Sequence, residues 1–78
     1  MDKEQCVNYL YDLAVLLKEK AFEAKGSKEN DSAGKDYNLG RSMAFYEVIS
    51  LMQQQAQAFG IPLNEIALAD INPDRDLL

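Results

Sequence analysis

Histidine and tryptophan are absent from the 78 residues, cysteine occurs once and proline twice. Each scarcity removes a class of chemistry. Cys6 is the only thiol, so no disulfide can form within the chain. Without imidazole, one thiol cannot complete the four-ligand shell of a structural zinc site. The Glu-x-x-His pairs of a di-metal carboxylate bundle have no counterpart either. No cofactor is therefore expected. Catalysis is not expected, because no histidine can serve as general base for Cys6 or a serine.

Long hydrophobic runs are also missing. The apolar positions near the start are interrupted by Asn8 and Asp12, and no window approaches the ~20 apolar residues of a membrane span. The opening MDKEQC is acidic and lacks the basic n-region of a secretory signal. A lone thiol and no leader suit a reducing compartment, and a cytoplasmic location is expected. Basic residues are the minority, 8 against 13 acidic, giving a net charge of −5. That balance argues against binding to a membrane surface or directly to nucleic acid, both of which reward Lys and Arg.

A chain of this size forms one domain, residues 1–78, and buries only about 60% of the surface its unfolded form exposes. Natural proteins this small add disulfides, a metal or a partner subunit. With the first two removed, self-association is the expected remedy.

What the sequence does contain is helix-forming periodicity. From Asp2 to about Lys25 there is no Gly or Pro, and Val7, Leu10, Ala14, Leu17, Ala21 and Ala24 follow a 3-4-3-4-3 spacing. Such spacing places them on one face of a helix about 2–25. Asp2 is the candidate N-cap and Gly26 the candidate left-handed terminator. Residues 26–36, GSKENDSAGKD, read as a polar connecting loop. A second helix is expected from about 37 to 59, with Asp36 as N-cap and Gly60 just past its end. The remaining segment, 60–78, offers Pro62 to open a short helical turn bearing Leu63, Ile66 and Ala67. Its Asn72-Pro73 pair marks a turn, and the closing DRDLL reads as a frayed acidic end.

The fold class expected is all-α: an antiparallel hairpin of two long helices plus a short C-terminal turn. One stretch asks for more than a hairpin. Ser42–Asn64 carries one formal charge, Glu47, in 23 residues. Phe45, Ile49, Met52, Ala56 and Phe59 form one apolar stripe. Ala44, Val48, Leu51 and Ala58 form a second, displaced by about 100° around the helix. In the first helix Cys6, Tyr9, Leu13 and Leu16 likewise lie beside the main stripe. A hairpin partner covers one stripe, and burying one large apolar side chain is worth about 1.5–3 kcal/mol. The surplus is expected to be shared between the tail and a second copy, giving a four-helix bundle as a homodimer. Its candidate interface comprises Gly40, Ala44, Val48, Leu51, Leu13, Leu16 and Tyr9, with Gly40 and Ala44 small enough to admit another backbone. Tyr46, Glu47 and Gln54 form a candidate polar contact face. Cys6, at an apolar position, reads as a small core residue.

Other motifs fail on spacing. SAGKD lacks the first glycine, the final Ser or Thr, and the preceding strand of a phosphate loop. DSAGKDYNLG lacks the bidentate Glu that closes a calcium loop. The function expected is a small self-associating interaction or adaptor module with a possible protein partner. The alternative is an acidic inhibitor or regulator of a basic nucleic-acid-binding protein or toxin, offering carboxylates in place of phosphates.

Overall fold

The computed structural model describes residues 2–30 and 34–78, the side chains of 28–30 excepted. Two long helices, α1 (Lys3–Asn30) and α2 (Lys35–Ala58), run antiparallel, followed by a 3₁₀ turn (Leu63–Ile66) and a one-turn helix, α3 (Pro73–Asp76). No strand occurs among the described residues, and none of their helices is long and apolar enough to cross a membrane.

The start of α1 is closed reciprocally. Asp2 Oδ1 accepts the Gln5 N–H at 2.8 Å, while Gln5 Oε1 accepts the Asp2 N–H at 3.1 Å. This capping box satisfies two of the backbone donors that a helix start leaves without partners. The other end departs from expectation: α1 does not stop at Lys25 but continues through Gly26 to Asn30. A glycine inside a helix costs only about 1 kcal/mol relative to alanine, and Lys25, Lys28 and Glu29 around it are good helix formers. The left-handed glycine is instead Gly34, at φ 75°, immediately before α2. Asp36 accordingly lies within the first turn of α2 rather than capping it. The connecting loop therefore shrinks from 26–36 to 31–34, within the usual ~2–8 residues. Most of it, 31–33, lies outside the described residues.

The end of α2 follows the expected pattern. Gly60 has φ 68°, its N–H donates to the Gln57 carbonyl at 3.1 Å, and the Ile61 N–H donates to the Ala56 carbonyl at 2.8 Å. Those two bonds define a Schellman terminus, and the left-handed position is one that glycine takes without steric cost.

Between the helices runs a seam of small residues. Ala14 and Ala21 of α1, and Ser42, Ile49 and Ala56 of α2, recur seven apart and are all at most 4% exposed. Alanine and serine at these positions allow close packing, toward the short end of the 8–10 Å range of helix separations. The Ser42 hydroxyl is buried without a hydrogen-bond partner. A buried unsatisfied polar group costs about 1–3 kcal/mol, so Ser42→Ala should raise stability by about 1 kcal/mol in urea unfolding. A lower midpoint would show that the hydroxyl is satisfied.

The C-terminal segment is integral to the core. Pro62 opens the 3₁₀ turn, which Ala67 closes in the left-handed region at φ 58°. Ile66, Leu68, Ile71 and Leu77 are each at most 6% exposed. The expected frayed end is thus corrected: Leu77 is buried, and α3 is well capped. Pro73 occupies its first turn, Asn72 Oδ1 accepts the Arg75 N–H at 3.2 Å, and the Asn72 carbonyl accepts the Asp76 N–H at 2.7 Å.

Candidate interaction surfaces

Two packed helices leave a groove along each flank of their seam. The C-terminal segment fills one. Tyr11, Val15 and Lys18 of α1 line a cleft with Asn64, Ala67, Ala69 and Asp70. On the α2 side, Tyr46, Ser50, Gln53, Gln54 and Gln57 line another, of about 310 Å³, with Asn72, Pro73 and Asp74.

Three side chains of the long helices hold the segment in place. The Gln53 amide donates to the Leu68 and Ile71 carbonyls at 3.1 and 2.9 Å. It thereby satisfies backbone acceptors that this irregular stretch cannot pair with itself. Lys18 Nζ donates to Asp70 Oδ1 at 2.7 Å, and that hydrogen bond holds the Asp70 carboxyl below the usual carboxylate range. The Tyr46 hydroxyl donates to Asp74 Oδ1 at 2.5 Å, which raises the tyrosine pKa because the phenol must stay protonated to donate. Within the segment, Arg75 clasps Asp76 through Nε at 2.8 Å and Nη2 at 2.9 Å, and the Asn72 N–H donates to Asp76 Oδ2. These bonds, the arginine's first, depress Asp76 from 3.8 to about 2. A carboxyl shifted downward stabilises the fold above its unfolded pKa. The contribution of Asp76 is therefore complete above about pH 4 and is lost as pH falls toward 2.

The candidate polar face divides on this geometry. Tyr46 and Gln54 both line the α2–tail cleft, and the Tyr46 hydroxyl is already engaged by the tail. Glu47 is exposed and lies apart from that cleft. Gln53, the residue that grips the tail, was not singled out by its sequence context.

Among the described residues, the second groove, on the opposite flank of the seam, meets the tail only at one end, where Ile61 and Ile66 cross beside Leu10 and Met52. Successive residues turn by about 100° around a helix. That rotation places Leu10, Leu13 and Leu17 of α1, with Phe45, Val48 and Met52 of α2, on this flank. Leu10, Phe45 and Met52 rest on the core while remaining partly open. At one end Arg41 lies over the Phe45 ring, 5.6 Å from its centroid, and reaches Glu23 at 4.0 Å. At the other end Leu10, Met52, Phe59, Ile61 and Ile66 contribute to an almost wholly apolar cavity of about 190 Å³.

The candidate interface is likewise split. Val48 and the half-buried Leu13 edge the second groove, whereas Gly40, Ala44 and Leu51 lie on the exposed back of α2, away from α1. Tyr9 and Leu16 are exposed on the outer side of α1. A Cβ built on Gly40 meets nothing within 4 Å, so no described part of the chain uses the close approach that a glycine permits. Cys6 is a correction: the thiol is free and half-exposed at the rim of a cavity near Pro62, not a core residue. No cluster of three or more metal-ligating side chains occurs among the described residues. No family model matches the chain, and no curated protein and no solved structure matches it.

Proposed function

We propose that the chain is a self-associating protein-interaction module without catalytic activity, completed as a four-helix bundle by a second copy. The carrying observation is the area and shape of the single chain. Its accessible surface is 5323 Å² at 8.8 kDa, about 500 Å² above the average for a compact monomer of that mass. The radius of gyration is 13.8 Å, against about 11.5 Å for an average domain of this length. A twofold dimer of average compactness would bury on the order of 2,700 Å² in total, the size of a permanent rather than a transient interface. Among the described residues, half of the ten buried apolar ones are alanines, so the core alone has little large apolar volume.

The alternative, an acidic regulator of a basic protein, has less support. The tail carboxylates that would imitate phosphates are engaged internally, Asp70 by Lys18, Asp74 by Tyr46 and Asp76 by Arg75. Association of folded but not of unfolded chains stabilises the fold by mass action. The urea midpoint should therefore rise as protein is increased from about 1 to 100 μM, by an amount set by ~1.4 kcal/mol per tenfold. A midpoint independent of concentration contradicts the proposal.

A further inference from the structure

Resting on the self-association reading, we infer that the second copy docks antiparallel across the open groove, about a twofold axis passing near Val48, and not on the back of α2. The register of the hairpin sets the geometry. Leu10 shares a cavity with Met52, and Arg41 pairs with Glu23. That register puts Leu13 level with Val48, and Leu17 level with Phe45, so the groove has three apolar tiers with Leu13 and Val48 in the middle.

Charge favours one direction. Lys20 and Arg41 lie toward the loop end of this flank, Arg41 beside Glu23, while the other end presents Cys6 and Gln55 together with Lys3 and Glu65, whose charges offset. Parallel docking would set Lys20 and Arg41 against their own copies, and like charges brought together repel. Antiparallel docking sets them against an end without net charge, where Glu65 shares a cavity with Lys3.

Exposure supports the position of the axis. The two most exposed large apolar residues described are Phe59, at 76%, and Tyr37, at 74%. Each is eleven residues from Val48, on opposite sides, and both lie on the open flank by helical rotation. A twofold axis at Val48 carries Tyr37 of one copy to the level of Phe59 of the other, beside the apolar cavity that Phe59 lines. An isologous interface must be self-complementary in this way. Both rings would then be covered, twice over, by a single operation.

The test uses the full chain with Cys6→Ser. Val48→Cys should give a predominantly disulfide-linked dimer with oxidised glutathione, since thiols near a twofold axis meet, whereas Leu51→Cys should not. In the parent chain, Val48→Glu should weaken dimerisation at least about thirtyfold, as should Phe59→Ala, while Leu51→Glu leaves it within about twofold. All three sites are exposed in the single chain, so unchanged helicity by circular dichroism should accompany each. A dimer dissociated by Leu51→Glu but not by Val48→Glu overturns the groove assignment and leaves self-association standing. A parent chain that is monomeric throughout overturns both.

Discussion

Leu68→Ala is expected to destabilise the protein by about 3 kcal/mol, within the ~2–5 kcal/mol range for leucine truncation in a core. Leu68 is fully buried, its N–H donates to the Leu63 carbonyl at 2.9 Å, and its own carbonyl accepts from Gln53. The side chain sits in an irregular segment, yet it belongs to one core cluster with Ala14 and Ala21 of α1 and Ile49 and Ala56 of α2. Truncation leaves a void where the walls are fixed by two rigid helices and cannot close. Against a total stability at the low end of ~5–15 kcal/mol, such a loss is a large fraction. Urea unfolding followed by circular dichroism, at one protein concentration, measures it. A loss below about 1 kcal/mol would mean that residues 61–78 rest on the hairpin without contributing to its core.

Ala21→Leu is expected to destabilise by about 2 kcal/mol or more, although it adds apolar volume to a buried stripe. A composition argument alone favours the larger residue, since burial is worth about 25 cal/mol per Å². The geometry opposes it. Ala21 is fully buried, and its row on α2, seven residues apart, is Ser42, Ile49 and Ala56. The added carbons meet a helix backbone rather than a space, and overpacking typically costs about 1–3 kcal/mol. Forcing the helices apart at Ala21 also loosens the packing at Ala14. A neutral or stabilising result, read from the urea midpoint, would show that the seam holds a cavity instead.

The long helices were legible because their apolar spacing is regular and their ends carry local signals. Asp2 and Gly60 act within one turn of their own positions, so sequence suffices to place them. Gly26 misled because a glycine both ends helices and is tolerated inside them, and the choice depends on about 1 kcal/mol. The role of the tail was legible only as composition: Ile66, Leu68 and Ile71 invite burial, but nothing local says which flank they take. Gln53 was illegible for a clearer reason. Its acceptors are backbone carbonyls 15 and 18 residues further on, and a carbonyl has no residue type to betray it. The end reading DRDLL misled similarly, since its charges are engaged by Tyr46, by Asn72 and by one another while Leu77 is buried.

The candidate surface shows the same division. Two displaced apolar stripes correctly signalled more apolar surface than a hairpin covers, yet periodicity treats the flanks of a helix alike. Only the path of the tail distinguishes the flank with Gln53 and Tyr46 from the flank with Val48 and Met52. Gly40, Ala44 and Leu51 formed an attractive set by spacing, but they lie on the back of α2, where a neighbour would meet one helix instead of a two-helix groove.

In the proposed dimer, one groove of each chain is filled by its own end and the other by the second copy. The most direct measurement is the molar mass in solution, by light scattering behind a sizing column at low micromolar protein. The parent chain is expected at twice its mass of 8.8 kDa, with Val48→Glu eluting at the single-chain value. A parent chain that remains at 8.8 kDa as its concentration is raised a hundredfold would contradict it.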